Sequence, residues 1–226
     1  METILGFLII APPFLFAVVI HEYSHGRMAL RFGDPTAKMA GRLTLNPLSH
    51  LDPIGSIIIP IFLYVSSGFI FGWAKPVPVN PYYFRDPRRD MMWVSLAGPG
   101  ANILIAFGLG LVIRFLSVLP INPDLQSSPF GIIIHMIVYG LIINLILAFF
   151  NLIPIPPLDG SKILMGILPP QYAEPLIQLE RYGFLLLIGI IFISQALHVP
   201  ILSWILFPFV SFFSYLFAGA DLTRFL

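Results

Sequence analysis

Five long stretches of this chain contain no Asp, Glu, Lys or Arg: residues 3–20, 53–74, 91–113, 129–158 and 182–220. A helix that crosses a bilayer needs about 20 mostly apolar residues. Each stretch approaches or exceeds that length, and the last can hold two helices hinged at residues 198–200. A soluble domain carries about a quarter of its residues as charges, whereas here the share is 10%. The same runs exclude a disordered chain. Leu, Ile and Phe recur in them without period-2 alternation, so they read as helices and not as barrel strands. The expected fold is an all-α polytopic membrane protein with about five transmembrane helices. No internal repeat breaks it, so residues 1–226 read as one domain. Residues 3–20 lack the basic leader and small-residue cleavage site of a signal peptide, which favours a retained helix. Pro12 and Pro13 are expected to bend it.

Whole classes of partner fall away with that composition. A net charge of +1 without a dominant basic cluster offers nothing to nucleic acid. No Gly-rich loop has the strand-then-helix setting of a nucleotide site. The absence of Cys excludes disulfides and thiolate metal ligands.

The first apolar run ends in His21-Glu22-Tyr23-Ser24-His25. Residues four apart share one helix face, so His21 and His25 can bind one Zn²⁺. Glu22 stands about 100° further round, near the metal but off the ligand face. It is placed to take a proton from an attacking water. The plain alternative is a group of interfacial side chains facing lipid headgroups. Two histidines leave a catalytic zinc one protein ligand short. Most acids lie in polar loops, where solvation accounts for them. Asp52 is close to the motif in sequence. Asp159 closes the uncharged run 129–158 behind a proline-rich stretch that cannot be regular helix. Irregular backbone at membrane depth must face protein or a watery cavity. Asp159 is thus a ligand candidate, with capping of the following helix as the alternative.

Asn102 and Asn144 lie in apolar helices, where interhelical hydrogen bonding is the ordinary role. Asn144 is assigned that role, and Asn102 is divided between it and support of the site. His50 is a candidate to support the metal. Gly98, Gly100, Gly108 and Gly110 read as a close-packing seam. Arg114 is expected to snorkel to the far interface.

Taken together, His21-Glu22-x-x-His25, Ala97-Gly98-Pro99-x-x-Asn102 and Asn151-x-x-Pro-x-Pro-Pro-Leu158-Asp159-Gly160 resemble the site-2 protease family of intramembrane zinc metalloproteases. The segment Phe71-Gly72-Trp73-Ala74-Lys75-Pro76-Val77-Pro78-Val79-Asn80 is similar to a signature of its compact bacterial members. The likeness covers residues 1 to about 170, implying a catalytic core there and a C-terminal helical hairpin over 182–220. It implies one zinc held by His21, His25 and Asp159, Glu22 as catalytic base, and Asn151 as a partner of the oxyanion. It also implies membrane-spanning protein substrates, such as anti-sigma factors or signal-peptide remnants, and a bacterial inner membrane.

If His21, His25 and Asp159 share a metal, the ends of their helices lie on one side of the membrane. That requires residues 53–74 to dip in and return, as a re-entrant helix near 54–66 followed by an extended segment over 69–80. This topology gathers ten of the 12 Lys and Arg on the site's side, which the positive-inside rule assigns to the cytoplasm. Two rivals use the same residues differently: a metal or proton-coupled transporter, and a catalytically inactive scaffold.

Overall fold

The computed structural model describes residues 2–52, 55, 58, 75–119 and 128–225. Its helices are α1 (Glu2–Arg31), α2 (Pro87–Ser117), α3 (Pro129–Asn151), α4 (Asp159–Ile167), α5 (Pro170–Glu180), α6 (Gly183–Ala196) and α7 (Ile201–Ala218). Short helical turns over Thr36–Met39, Pro47–His50 and Pro81–Tyr83 lie between α1 and α2. The all-α membrane architecture expected from the sequence is present. Among the described residues, four helices have the length and apolarity to cross a membrane: Leu8–Arg31 of α1, α2, α3 and α7.

A fifth crossing would need α5 and α6 together, and they are bent 72° apart. The 14 residues of α6 rise about 21 Å, short of a hydrocarbon core of about 30 Å. Of the hairpin expected over 182–220, α6 is shorter than a span and α7 has the length of one. The re-entrant helix expected at 54–66 lies outside the described residues, apart from positions 55 and 58. Of the extended segment, residues 75–80 are described and contain no helix.

Three helices form the centre. α2 packs against both α1 and α3, which also touch each other, while α4 and α7 close on α2 from other sides. Asp86 starts α2 by accepting a hydrogen bond from Arg89 N, and Ser128 starts α3 by accepting one from Gly131 N. The chain leaves α1 and enters α2 at the same end, since Arg31, Arg85 and Arg89 line one recess. α2 thus runs antiparallel to α1. Pro12 and Pro13 both lie within α1, which remains one helix.

Ala106, Leu141, Leu145, Val210 and Phe217, from α2, α3 and α7, form a buried apolar cluster. Gly110 belongs to a tight seam there, because a Cβ would lie 2.6 Å from Phe217 Cβ. Gly100 and Gly108 do not belong to it. A Cβ on either meets nothing within 4 Å, since both face away from neighbouring helices. Arg114, exposed in the last turn of α2, finds partners there. Its Nε and Nη2 donate to Phe217 O and Leu216 O, each at 2.8 Å, so the cation caps the C-terminal end of α7.

Candidate metal centre

His21 and His25 sit one turn apart on the inward face of α1, both buried against α2. Their second ring nitrogens are fixed. His21 Nδ1 donates to Asn102 Oδ1 at 2.7 Å, and His25 Nδ1 donates to Val94 O at 2.7 Å. Asn102 is itself held from two sides, with Nδ2 donating to Ala17 O at 3.0 Å and to Asn144 Oδ1 at 2.8 Å. Asn144 completes the chain by donating to Gly140 O. The two donations leave the Asn102 carbonyl oxygen as the atom facing His21, which fixes the proton on Nδ1 and frees the Nε2 lone pair.

The third group arrives from the far side of α3. After Asn151 the chain makes consecutive tight turns, closed by Ile155 N to Ile153 O and Leu158 N to Ile155 O. They deliver Asp159 as the first residue of α4. Its carboxylate caps no helix: the N-cap position is Leu158, without a side-chain cap. Instead Asp159 Oδ2 lies 3.1 Å from His21 Nε2 and 3.2 Å from His25 Nε2. Gly160 permits this approach, because a Cβ there would lie 2.3 Å from Leu152 O.

Ligand atoms of His21, His25 and Asp159 all lie within 4.8 Å of one another, and this is the one such group among the described residues. Two donors about 2 Å from a tetrahedral zinc are separated by roughly 3.3 Å, close to the distances found. With both Nδ1 atoms donating, two neutral Nε2 lone pairs converge on an anionic oxygen. A cation between them resolves that repulsion, so the residues fit zinc.

Gly98 faces the same point. A Cβ there would lie 2.4 Å from His25 Nε2 and 2.8 Å from His21 Cε1, so this glycine clears the imidazoles. Glu22 stands outside the donor group, and its Oε2 accepts a hydrogen bond from Val77 N at 2.7 Å. Residues 75–80 are anchored around that contact. Arg42 donates to Ser49 O, Lys75 O and Pro76 O, Lys75 N donates to His50 O, and Asn80 N donates to Asp34 Oδ2.

The remaining candidates lie elsewhere. Asn151 Nδ2 donates to Leu147 O within its own helix. Asp52 Oδ1 accepts from Gly55 N, and His50 Nε2 bonds Thr44 O; neither belongs to the donor group. Asp34, expected among the solvated loop acids, is instead buried and accepts from Thr36 N and Asn80 N; a loop acid and a loop arginine such as Arg42 carry no distinguishing pattern in the sequence. Val94 O and Val77 N are backbone atoms, which no residue type announces.

The profile described as peptidase family M50 matches residues 9–194. "Putative zinc metalloprotease YwhC" of Bacillus subtilis is 37% identical over 202 residues, 87% of this chain and 83% of that protein. "Putative zinc metalloprotease Rip2" of Mycolicibacterium smegmatis is 32% identical over 224 residues, 97% of this chain and 81% of that one. No solved structure matches the chain.

Proposed function

This chain belongs to peptidase family M50, which makes it a zinc metalloprotease built into a membrane, and on that premise we propose that it is an intramembrane endopeptidase. Its substrates are membrane-embedded protein segments, cut in the course of regulated proteolysis. The observation that supports this most is the convergence of His21, His25 and Asp159 on one point, with Glu22 beside them and outside the donor group.

His21, His25 and Asp159 hold one zinc ion. When bound, zinc supplies Lewis acidity, which makes water nucleophilic near neutral pH and stabilises negative charge on a carbonyl oxygen. Glu22 takes a proton from the attacking water and hands it to the amine as the C–N bond breaks. Asn102 and Val94 O keep both imidazoles in the tautomer that presents Nε2. Asn151 donates to the substrate oxyanion after exchanging Leu147 O for it. A substrate helix must unwind before its carbonyls can be attacked, and residues 77–80 offer an extended partner for the unwound backbone. The catalytic core is residues 1–170. The membrane is the bacterial inner membrane, with the site on the cytoplasmic side; the arginines gathered where α1 ends and α2 begins support this orientation.

Glu22→Gln tests the chemistry, because it keeps shape and hydrogen bonding but cannot accept the proton. Protein reconstituted with a single-span substrate should keep its zinc while cleavage slows by about 10²–10⁴-fold. Equal cleavage by both proteins would sink Glu22 as the base. Zinc flux without proteolysis would favour the transporter, and intact substrate with zinc bound would favour the scaffold. Topology is tested separately by Lys38→Cys and Arg88→Cys, which should label from the same face of sealed vesicles. Labelling from opposite faces would overturn the arrangement.

A further inference from the structure

Two hollows share a wall where the end of α1 meets the start of α2. The first, about 630 Å³, is lined by Arg31, Arg85 and Arg89 together with Asp86, Asp90 and Trp93. The second, about 970 Å³, continues from Arg27, Arg31 and Trp93 along the outer seam of the two helices, past Gly100 and Ala101 to Leu104. They belong to a different face from the metal donors. Gly98 touches the imidazoles, and Gly100 lies about 200° away around the helix axis. Among the described residues, a Cβ on Gly100 would meet nothing within 4 Å, so they leave the floor of the seam open.

The charge in the first hollow is uncompensated. Asp86 accepts from Arg89 N at 3.1 Å and Asp90 accepts from Asp86 N at 3.2 Å, so both acids serve the first turn of α2. Arg27, Arg31, Arg85 and Arg89 are exposed, and none forms an ion pair among the described residues. Arg31, Arg85 and Arg89 against Asp86 and Asp90 leave the first hollow net positive, with Arg27 on the adjoining wall; that favours an anion, and the planar fork of arginine suits phosphate. Trp93, 41% exposed, stands between the two hollows as a tryptophan does at a headgroup boundary.

Length decides what else the occupant carries. From Trp93 to Leu104 the helix rises about 17 Å, roughly half the bilayer's hydrocarbon thickness of about 30 Å. A spanning protein helix would need the full thickness, whereas acyl chains of one leaflet need half. We infer that the paired hollows bind one anionic phospholipid, its headgroup phosphate among Arg31, Arg85 and Arg89 and its acyl chains in the α1–α2 seam. The inference is independent of the proteolytic chemistry.

Zinc-loaded protein is reconstituted in vesicles of equal parts phosphatidylglycerol and phosphatidylcholine, extracted in mild detergent, and examined by native mass spectrometry. One phosphatidylglycerol should be retained in preference to phosphatidylcholine. Arg31→Gln and Arg89→Gln should each weaken retention by about fivefold, the effect of one surface cation on an anionic lipid. Arg181→Gln, remote from the hollow, should leave it unchanged. Ala101→Trp should obstruct the seam and release the lipid, while zinc content reports that each variant is folded. Equal retention of the two lipids would overturn the inference. Displacement by millimolar inorganic phosphate alone would overturn it too, in favour of a free-anion site. Should the arginine variants fail to fold, a photoreactive side chain at position 101 in the otherwise unaltered chain decides. Cross-linking to phosphatidylglycerol upholds the inference, and cross-linking instead to a co-reconstituted substrate helix defeats it.

Discussion

α3 and α6 are both strongly apolar helices without a single Asp, Glu, Lys or Arg, yet one is central and the other peripheral. α3 packs on α1, α2 and α7, while α6, among the described helices, packs chiefly on α7 and meets the Pro156–Pro157 turn only at its first residue, Gly183. Apolarity cannot explain the difference, because lipid tails solvate Leu and Ile as well as another helix does. What α3 has is Asn144, tied through Asn102 to Ala17 O and His21, and Gly140, where α2 and α1 approach closely. In α6, a Cβ on Gly189 would meet nothing within 4 Å, and Leu185 is 66% exposed. Hydrophobicity puts a helix into the membrane; buried polar groups and small residues decide where it stands.

That contrast can be broken most severely at its most polar point. Asp159→Ala should remove the only carboxylate of the donor group, and His21→Ala should match it. Zinc affinity measured by competition with a chelator should fall by at least about 100-fold, the upper end of what supporting residues cost. Full zinc content in the Asp159 variant would require another donor, with Asp52 the first to examine.

A smaller loss is expected one step out. Asn102→Leu removes the partner of His21 Nδ1 and unties Asn144, so zinc affinity should fall by about 10–100-fold. Contact between α2 and α3 should weaken by about 1 kcal/mol, the scale of an interhelical hydrogen bond in a membrane. If zinc binding survived while the helices loosened, Asn102 would be structural glue only. Val77→Pro is milder: it deletes the N–H that Glu22 accepts from, together with part of the buried Val77 side chain's packing beside Gly26. A hydrogen bond to a carboxylate contributes about 1.5–3 kcal/mol, so turnover should fall about tenfold or more with zinc retained. Turnover unchanged by this variant would mean that Glu22 needs no such restraint.

The other side of the comparison predicts near silence. Leu185→Ala on α6 should change thermal stability by no more than about 0.5 kcal/mol, as for other exposed positions, and leave zinc content alone. A loss comparable to that from Asn102→Leu would show that α6 is held by more than α7.

Much of this molecule is legible before any folding is considered. The long uncharged runs dictate membrane helices, because unsatisfied charge is costly in hydrocarbon. The four-residue spacing of His21 and His25 dictates a shared helix face. Asp159 stands out because it ends an uncharged run on backbone that proline keeps irregular. Only the tertiary structure put Asn102 on His21 Nδ1 as well as on Asn144, placed Arg114 on the end of α7, and separated Gly98 and Gly110 from Gly100 and Gly108. It alone showed Val94 O behind His25 and Val77 N on Glu22. The reason is physical: composition and period report what a residue does to its own segment. Those contacts join segments tens of residues apart, and several run through backbone atoms that every amino acid shares.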